Sequence, residues 1–556
     1  MDNPIEIRPC SSLEKIFPQQ APSTQYEKHY LSALCNETVA FQIAYKSADD
    51  NSRSWGRLKV GKPADINLVF SHVRNIPGML PANYKTDEGY LSTKTADVYP
   101  DLLEPFDING KLFIIPGIWK SLWVDVEVPV DCTPGLKRIR ICIESVEGNE
   151  LAAVEITVDV ISAQLPPLNI PHTRWFHTDC LAEYYDVAVF SERYWEIVEN
   201  FASYAARNNI NSLLTPIFTP PLDTAIGGER LTVQLIDVTK DKGKYTFGFD
   251  KLERWVKMLR RAGIKYIEIS HLFTQWGAKY APKIMGVSEG EYVRLFGWET
   301  DATGLEYTEF LQQMLPALTT KLQELGVADD CFFHISDEPD LSALEQYKAV
   351  RKIVDPLLKG YKIVDALTDY DFYKHGAVTV PIPSVDHIEP FIEGNVPELW
   401  AYFCCAQSYK VPNQFFMQPL YRCRILGVLL YKYNIKGFLH WGYNFYNSAN
   451  SVYSINPFVI TDADGAFPSG DAFLVYPGKG GEPMGSIRLM ATREAFNDYR
   501  ALTLLEQLIG RDFVLELIDE NVALPITFDS FPQSEGYLLN LRHKVNNKIK
   551  ELIKLL

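Results

Sequence analysis

The chain changes rhythm once, near residue 170, and this change constrains its fold more than any other feature. Up to about residue 165 the apolar residues follow a period of two. Ser121-Leu-Trp-Val-Asp-Val-Glu-Val128, Leu136-Lys-Arg-Ile-Arg-Ile-Cys-Ile-Glu144 and Val154-Glu-Ile-Thr-Val-Asp-Val160 alternate apolar with polar residues, and Thr38-Val-Ala-Phe-Gln-Ile-Ala-Tyr45 is rich in β-formers. Alternation of this kind marks strands with one face buried. Several such strands, punctuated by Pro and Gly and lacking any helical period, predict an N-terminal antiparallel β-sandwich over residues 1–165. The proline-stiffened stretch Ala163-Gln-Leu-Pro-Pro-Leu-Asn-Ile-Pro171 closes it.

Beyond residue 171 strands alternate with helices. Arg174-Trp-Phe-His177, residues 210–218, Tyr266-Ile-Glu-Ile-Ser-His271, Cys331-Phe-Phe-His-Ile-Ser336, Ile363-Val-Asp-Ala-Leu367, Val385-Asp-His-Ile388, Leu399-Trp-Ala-Tyr-Phe403 and Gly437-Phe-Leu-His-Trp441 read as eight strands. Helical patterns lie between most of them, at 192–207, 252–262, 307–325, 341–354 and 419–433, and residues 223–249 form an insertion with hairpin character. Eight strands with interleaved helices predict a (β/α)8 TIM-like barrel over 171–510, in an α/β chain with an all-β accessory domain. Amphipathic patterns at 487–508 and 537–556 predict covering helices, with 511–556 as a C-terminal helical segment packed on the barrel.

Composition narrows the ligand. Hydrophobic residues at 47% and charged residues at 22% exclude a disordered chain, and a net charge of −16 disfavours a nucleic-acid surface. Aromatic residues at 13% suit neutral, partly apolar ligands such as sugars, whose C–H faces stack on rings. No apolar run reaches membrane-spanning length, and the first residues lack a charged segment followed by an apolar one, so no membrane partner and a cytoplasmic location are expected. The nine scattered cysteines contain no CxxC, which points away from a disulfide framework or zinc ribbon. A homo-oligomer is left open.

Barrel enzymes carry reacting groups at the C-terminal ends of their strands. There the sequence places His177 and Asp179, His271, Gln275 and Trp276, Asp337 and Glu338, Asp365, Asp369 and Tyr370, Tyr402, and His440, Trp441, Tyr443 and Asn444. Neighbouring carboxylates with aromatics and amides, and no basic cluster, describe a pocket for a sugar rather than for a phosphate. Trp276 and Trp441 are the candidate stacking platforms, Asn444 a polar anchor, and Asp471 and Tyr476 are expected in a loop that closes the pocket. The five histidines near strands invite a metal, but neither HxH on strand one nor HExxH occurs, so no metal and no other cofactor are expected.

The pair Asp337–Glu338, within His334-Ile-Ser-Asp-Glu-Pro339, is the sharpest feature. Consecutive strand residues face opposite ways, but at a strand end beside Pro339 the pleat can break and let both carboxylates reach one ligand. Ordinary retaining glycosidases hold two carboxylates on separate elements, one of them a nucleophile. An adjacent pair suits another division of labour. Glu338 with a raised pKa protonates the glycosidic oxygen, while Asp337 holds the N–H of a 2-acetamido group whose own carbonyl oxygen attacks the anomeric carbon.

Ser336-Asp-Glu-Pro339, the block His440-Trp-Gly-Tyr-Asn444, Gly470-Asp-Ala-Phe-Leu-Val-Tyr-Pro-Gly478, and Ser486-Ile-Arg-Leu489 with Asp498-Tyr499 resemble glycoside hydrolase family 123 over roughly residues 170–510. The resemblance implies an exo-acting, retaining β-N-acetylgalactosaminidase working through an oxazolinium intermediate, with Asp337 polarising the acetamido group and Glu338 as general acid/base. His177, His271, Gln275, Trp276, Tyr402, Trp441, Tyr443, Asn444 and Asp471 are the expected substrate-binding set. Two alternatives stand beside this reading. One is a β-glycosidase of other specificity, either on N-acetylglucosaminides or by double displacement with Asp179, Asp365 or Asp369. The other is a non-catalytic glycan-binding protein.

Overall fold

The computed structural model describes residues 5–22, 30–48, 53–80, 86–87, 89 and 96–555. The other residues of the expected sandwich, 1–4 among them, and residue 556 of the expected C-terminal segment lie outside that set. Two sheets form the N-terminal unit. One holds Ile5–Ser11, Glu37–Ser47, Lys120–Val128, Asn67–Gly78 and Asp97–Pro105, and the other holds Tyr30–Cys35, Glu150–Gln164, Gly135–Ser145, Ser54–Gly61 and Lys111–Ile114. The alternation explains the packing. In Lys120–Val128 and Gly135–Ser145, Leu122, Val124, Val126, Ile139, Ile141 and Ile143 all point into one apolar core between the sheets. Pairing is antiparallel except for Tyr30–Cys35, which runs parallel to Glu150–Gln164.

The barrel strands are His172–Arg174, Ser212–Thr215, Tyr266–Ile269, Cys331–Phe333, Lys362–Leu367, Val380–Pro383, Ala401–Tyr402 and Phe438–His440, all parallel. The first lies slightly earlier than the sequence predicts. The seam between the sixth and seventh closes through Trp400 N–H to Pro381 O at 3.1 Å and Val385 N–H to Tyr402 O at 2.9 Å. The sixth strand corrects the expectation for Val385–Ile388. Pro381 and Pro383 sit inside it, because a strand at the seam tolerates residues that cannot donate. Helices fill the outside as their periodicity predicts. Glu192–Arg207 starts with the Ser191 side chain accepting from Tyr194 N–H and buries Tyr194, Ile197, Val198, Phe201, Ala202 and Ala205 on one face.

The insertion holds the hairpin Asp237–Asp241/Lys244–Gly248, which joins a second hairpin that follows the third barrel strand, Ile284–Ser288/Glu291–Phe296, in a four-stranded sheet. After the eighth barrel strand the chain returns to the sandwich. Tyr476–Pro477 and Pro483–Ser486 extend the first sheet, with Gly485 opposite Leu103. Tyr476 therefore faces Asp101 of the sandwich, its hydroxyl donating at 2.6 Å, rather than the barrel mouth. Helix Ile487–Ile509 follows, then Arg511–Asp519 and Glu535–Ile553. The last packs on sandwich strands as well as on Ile487–Ile509, since Arg542 pairs with Glu37 and Asn546 donates to Ser32. Among the described residues no helix is long and apolar enough to cross a membrane.

Candidate active site

A cavity of ≈ 170 Å³ opens at the C-terminal ends of the barrel strands. Trp175 lines it after the first strand, Leu222 and Asp223 after the second, Gln275 and Trp276 after the third, and Asp337 and Glu338 after the fourth. Ala366, Tyr402, Cys404, Cys405, Leu439, Trp441 and Phe467 complete the wall. Of the residues singled out from sequence, the cavity thus brings together Asp337, Glu338, Gln275, Trp276, Tyr402 and Trp441.

The third and fourth strands stay linked beyond their ordered ends, and this places the acid pair. Phe273 N–H donates to Ile335 O at 3.0 Å, the Ser336 hydroxyl to Thr274 O at 2.8 Å, and Trp276 N–H to Asp337 O at 2.9 Å. The backbone then turns sharply. Glu338 adopts φ +43°, in the left-handed region, so the alternation fails and both carboxylates line one cavity. Such a conformation costs about 1–3 kcal/mol and is retained where the surroundings impose it. The neighbouring loop turns the same way: Trp276, Gly277 and Ala278 have φ +57°, +112° and +54°, which holds the Trp276 ring half-exposed at the rim. At φ +112° only glycine is at ease.

Both acids hold their protons above the ordinary carboxylate range. Burial is the first cause for Glu338, with Asp386 adding to it, while the Tyr402 hydroxyl opposes it by donating to Oε1 at 2.5 Å. Asp337 is raised well up by burial and by the Glu338 charge, and further by Asp365 and Glu268, against the pull of His334. Two like acids this close favour holding one proton between them, leaving one donor and one anion.

Beneath the pair lies a buried ionic triad. His334 Nε2 meets Glu268 Oε1 at 2.6 Å and Nδ1 meets Asp365 Oδ1 at 3.3 Å. Burial lowers the imidazole, but the two carboxylates overrule it and carry His334 up to about 9. Glu268 also accepts the Trp175 indole N–H at 2.9 Å and the Thr173 hydroxyl, which fixes the ring that floors the cavity. Asp365 accepts Ile335 N–H at 3.0 Å and the Tyr347 hydroxyl.

The remaining sequence candidates stand behind the wall. His177 and Asn444 are buried and lock each other: Asn444 Oδ1 accepts His177 N–H and its Nδ2 donates to His177 O, each at 2.9 Å. His177 Nε2 also meets Trp441 O at 2.9 Å, which ties this pair to a cavity residue. Asp471 accepts the Trp441 indole N–H at 2.8 Å, and burial lifts its carboxyl to about 7 against that bond and Arg174. It therefore aims the ring rather than closing the pocket. Gly442 lets that turn approach Asp471 and Ala472, whose carbonyl oxygens would lie 2.7 and 2.6 Å from a Cβ there. Tyr443 is fully buried and donates to Phe201 O at 2.9 Å, and His271 stacks on His334 with ring centroids 4.4 Å apart. Asp179 is bound by Arg230 at 2.7 Å, and Asp369 caps helix Tyr370–Lys374.

Sequence reading missed Asp223, Trp175, Leu222, Phe467, Cys404 and Cys405 as cavity residues, and Glu268 and Arg230 behind it. Glu268 carried a signal: an acid among apolar residues in Tyr266-Ile-Glu-Ile269, a strand whose interior face must bury it. Asp223 carried none, since it lies in the irregular segment that follows the second strand. Its φ is +41°, Asn450 N–H donates to its Oδ2 at 3.0 Å, and the Ser451 hydroxyl to its carbonyl at 2.7 Å. Burial raises its carboxyl to about 6 against Asn450 N–H and Arg230, so it is largely ionised at neutral pH.

A barrel with paired acids in a cavity walled by aromatic rings defines a carbohydrate-cleaving class of enzyme. The sequence profile of the glycoside hydrolase 123 catalytic domain matches residues 175–505, more than half of the chain, and the chain belongs to that family. In structure it is similar to a family 123 glycoside hydrolase from Clostridium perfringens described in terms of glycolipid glycan hydrolysis, at a TM-score of 0.73 and 15% identity, covering 98% of this chain and 97% of that one. A putative β-galactosidase from Bacteroides fragilis (TM-score 0.32, 9% identity, 87% and 60% covered) and an endo-β-1,4-mannanase from Thermotoga petrophila (TM-score 0.34, 11% identity, 60% and 77% covered) are more distant. No curated protein sequence matches it.

Proposed function

We propose that this glycoside hydrolase releases terminal β-linked N-acetylgalactosamine, exo-acting and with retention, using the substrate's 2-acetamido group as nucleophile. One observation carries the reading: Asp337 and Glu338 are adjacent in sequence, yet the left-handed turn at Glu338 delivers both to one cavity. Once the acetamido N–H meets Asp337, the proton that the pair shares stands on Glu338, which donates it to the leaving oxygen. Asp337 accepts the acetamido N–H and steadies the positive charge that develops as the carbonyl oxygen closes on the anomeric carbon. Glu338, now a carboxylate, then takes a proton from the water that opens the oxazolinium ring.

Double displacement needs a further carboxylate at the anomeric carbon. Of its three sequence candidates, Asp179 is held by Arg230, Asp365 lies below His334, and Asp369 caps a helix, and none is among the cavity-lining residues; the further carboxylate on the wall, Asp223, is held by Asn450 and joined to the acid pair only by way of the Gln275 loop. The test pairs aryl β-glycosides of N-acetylgalactosamine and galactose and adds a thiazoline analogue of the oxazolinium ring. Turnover only of the acetamido sugar, blocked by the thiazoline, is expected. Equal turnover of galactoside, insensitive to thiazoline, refutes the reading.

A further inference from the structure

The cavity contains a donor and an acceptor that the acid pair does not use. Gln275 is 6% exposed, and its Nε2 is a buried amide donor with no protein partner, while its Oε1 is taken by Asp223 N–H at 2.9 Å. Asp223, also on the cavity wall, spends Oδ2 on Asn450 N–H, and no hydrogen bond to its Oδ1 is made among the described residues. A buried amide N–H left unpaired costs about 1–3 kcal/mol, so it is a group that a ligand oxygen satisfies.

Neighbouring barrel strands fix the order of these groups around the rim. The second strand pairs with the third and the third with the fourth. Two loop bonds continue the order, Trp276 N–H to Asp337 O at 2.9 Å and Asp223 N–H to Gln275 Oε1. The sequence along the rim is Glu338, Asp337, Gln275, Asp223. On the acetamido reading above, Glu338 meets the oxygen on C1 and Asp337 the nitrogen on C2. The next two groups then meet the next two ring positions.

We infer that Gln275 and Asp223 form a diol clamp, with Gln275 Nε2 donating to the 3-hydroxyl oxygen and Asp223 accepting the 4-hydroxyl, so that Asp223 reads the configuration at C4. A carboxylate fixed through one oxygen by Asn450 presents the other in a single direction, and only one epimer of the 4-hydroxyl meets it. A site built to bond a hydroxyl rejects the analogue lacking it, because its own buried group is left unpaired.

The test compares wild type and Asp223→Asn on aryl β-glycosides of N-acetylgalactosamine, its 4-deoxy analogue and N-acetylglucosamine. Asparagine keeps an oxygen for Asn450 N–H, and thermal melting checks the fold. Expected is a loss of about 10- to 100-fold in kcat/KM for Asp223→Asn on the full substrate, and equal rates of the two proteins on the 4-deoxy sugar. Gln275→Glu retains the acceptor for Asp223 N–H and removes the donor. It should lose about 10-fold more on the full substrate than on the 3-deoxy analogue, whose own loss reads the added charge. Equal loss on full and 4-deoxy substrates, as for a nucleophile or a structural residue, overturns the assignment, as does no loss at all. Wild-type inactivity on all acetamido substrates overturns the acetamido reading and the clamp together, whereas wild-type activity with an unaffected Asp223→Asn overturns the clamp alone.

Discussion

Tyr402 of the seventh barrel strand donates its hydroxyl to Glu338 Oε1, 2.5 Å away beyond the fourth strand. The bond spans the cavity mouth and ties the proposed acid to the seam side of the barrel. It also opposes burial, because donation to a carboxylate favours its charged form. Tyr402→Phe removes that opposition and raises the Glu338 pKa further. Activity that needs protonated Glu338 is lost as pH rises through that pKa, so the alkaline limb of the pH–rate profile moves to higher pH in the variant. A fall of about 10-fold in kcat/KM at the optimum accompanies the loss of one charged hydrogen bond. A limb that moves to lower pH contradicts Glu338 as the acid.

General acid catalysis is worth about 10²–10⁴-fold where the leaving group needs its proton. Glu338→Gln should therefore lose about that much on an alkyl β-glycoside and far less on a 2,4-dinitrophenyl glycoside, whose phenolate leaves without help. Asp337→Asn, whose partner is the acetamido group, should lose similarly on both. Rates measured on the two substrates separate the roles, and leaving-group dependence in Asp337→Asn instead exchanges them.

Sequence and structure agree where one period governs a segment. The two-residue alternation of residues 121–128 and 136–144 sets the sandwich core, and the strand–helix rhythm sets the barrel. Asp337 and Glu338 were legible for a local reason, as adjacent acids at the end of a predicted strand; the left-handed turn at Glu338 was not, since a proline favours extended backbone in the residue before it and tertiary bonds impose the turn. The sixth strand was not, because the tolerance for Pro381 and Pro383 comes from barrel closure with Trp400, a partner close by in sequence but across the seam. Asp223 was not, because it reaches the cavity through bonds to Asn450 and Ser451, more than 200 residues away. His177, Tyr443 and Asn444 stood at the predicted strand ends, but sequence position there does not separate a side chain facing the cavity from one that locks the loop behind it.

His334, raised to about 9 between Glu268 and Asp365, makes stability depend on pH. Its folded pKa lies above the ordinary 6.5, so the triad's contribution is complete below about pH 6.5 and is lost as pH rises through about 9. The amount at stake is about 3 kcal/mol. His334→Gln should lower the melting temperature most at about pH 6, and its deficit relative to wild type should shrink above about pH 9. A deficit that stays constant across this range shows that the histidine is not a cation in the fold.

Asp101 joins the two units of the molecule. It accepts Arg488 Nε at 2.7 Å, Arg488 Nη2 at 3.0 Å and the Tyr476 hydroxyl at 2.6 Å, and both charged side chains are almost wholly buried. Removing one partner of a buried pair leaves the other charge uncompensated, which costs about 3–5 kcal/mol. Asp101→Ala should therefore lower the melting temperature, while Asp101→Asn, which still accepts one hydrogen bond, should lower it less. Because Arg488 opens helix Ile487–Ile509 and donates to Gly470 O at 2.5 Å, the segment carrying Asp471 loosens with it. The Trp441 ring that Asp471 aims then loses its fixed direction, so KM should rise in Asp101→Ala at temperatures well below melting. An unchanged KM in a folded but less stable variant confines Asp101 to holding the sandwich on the barrel.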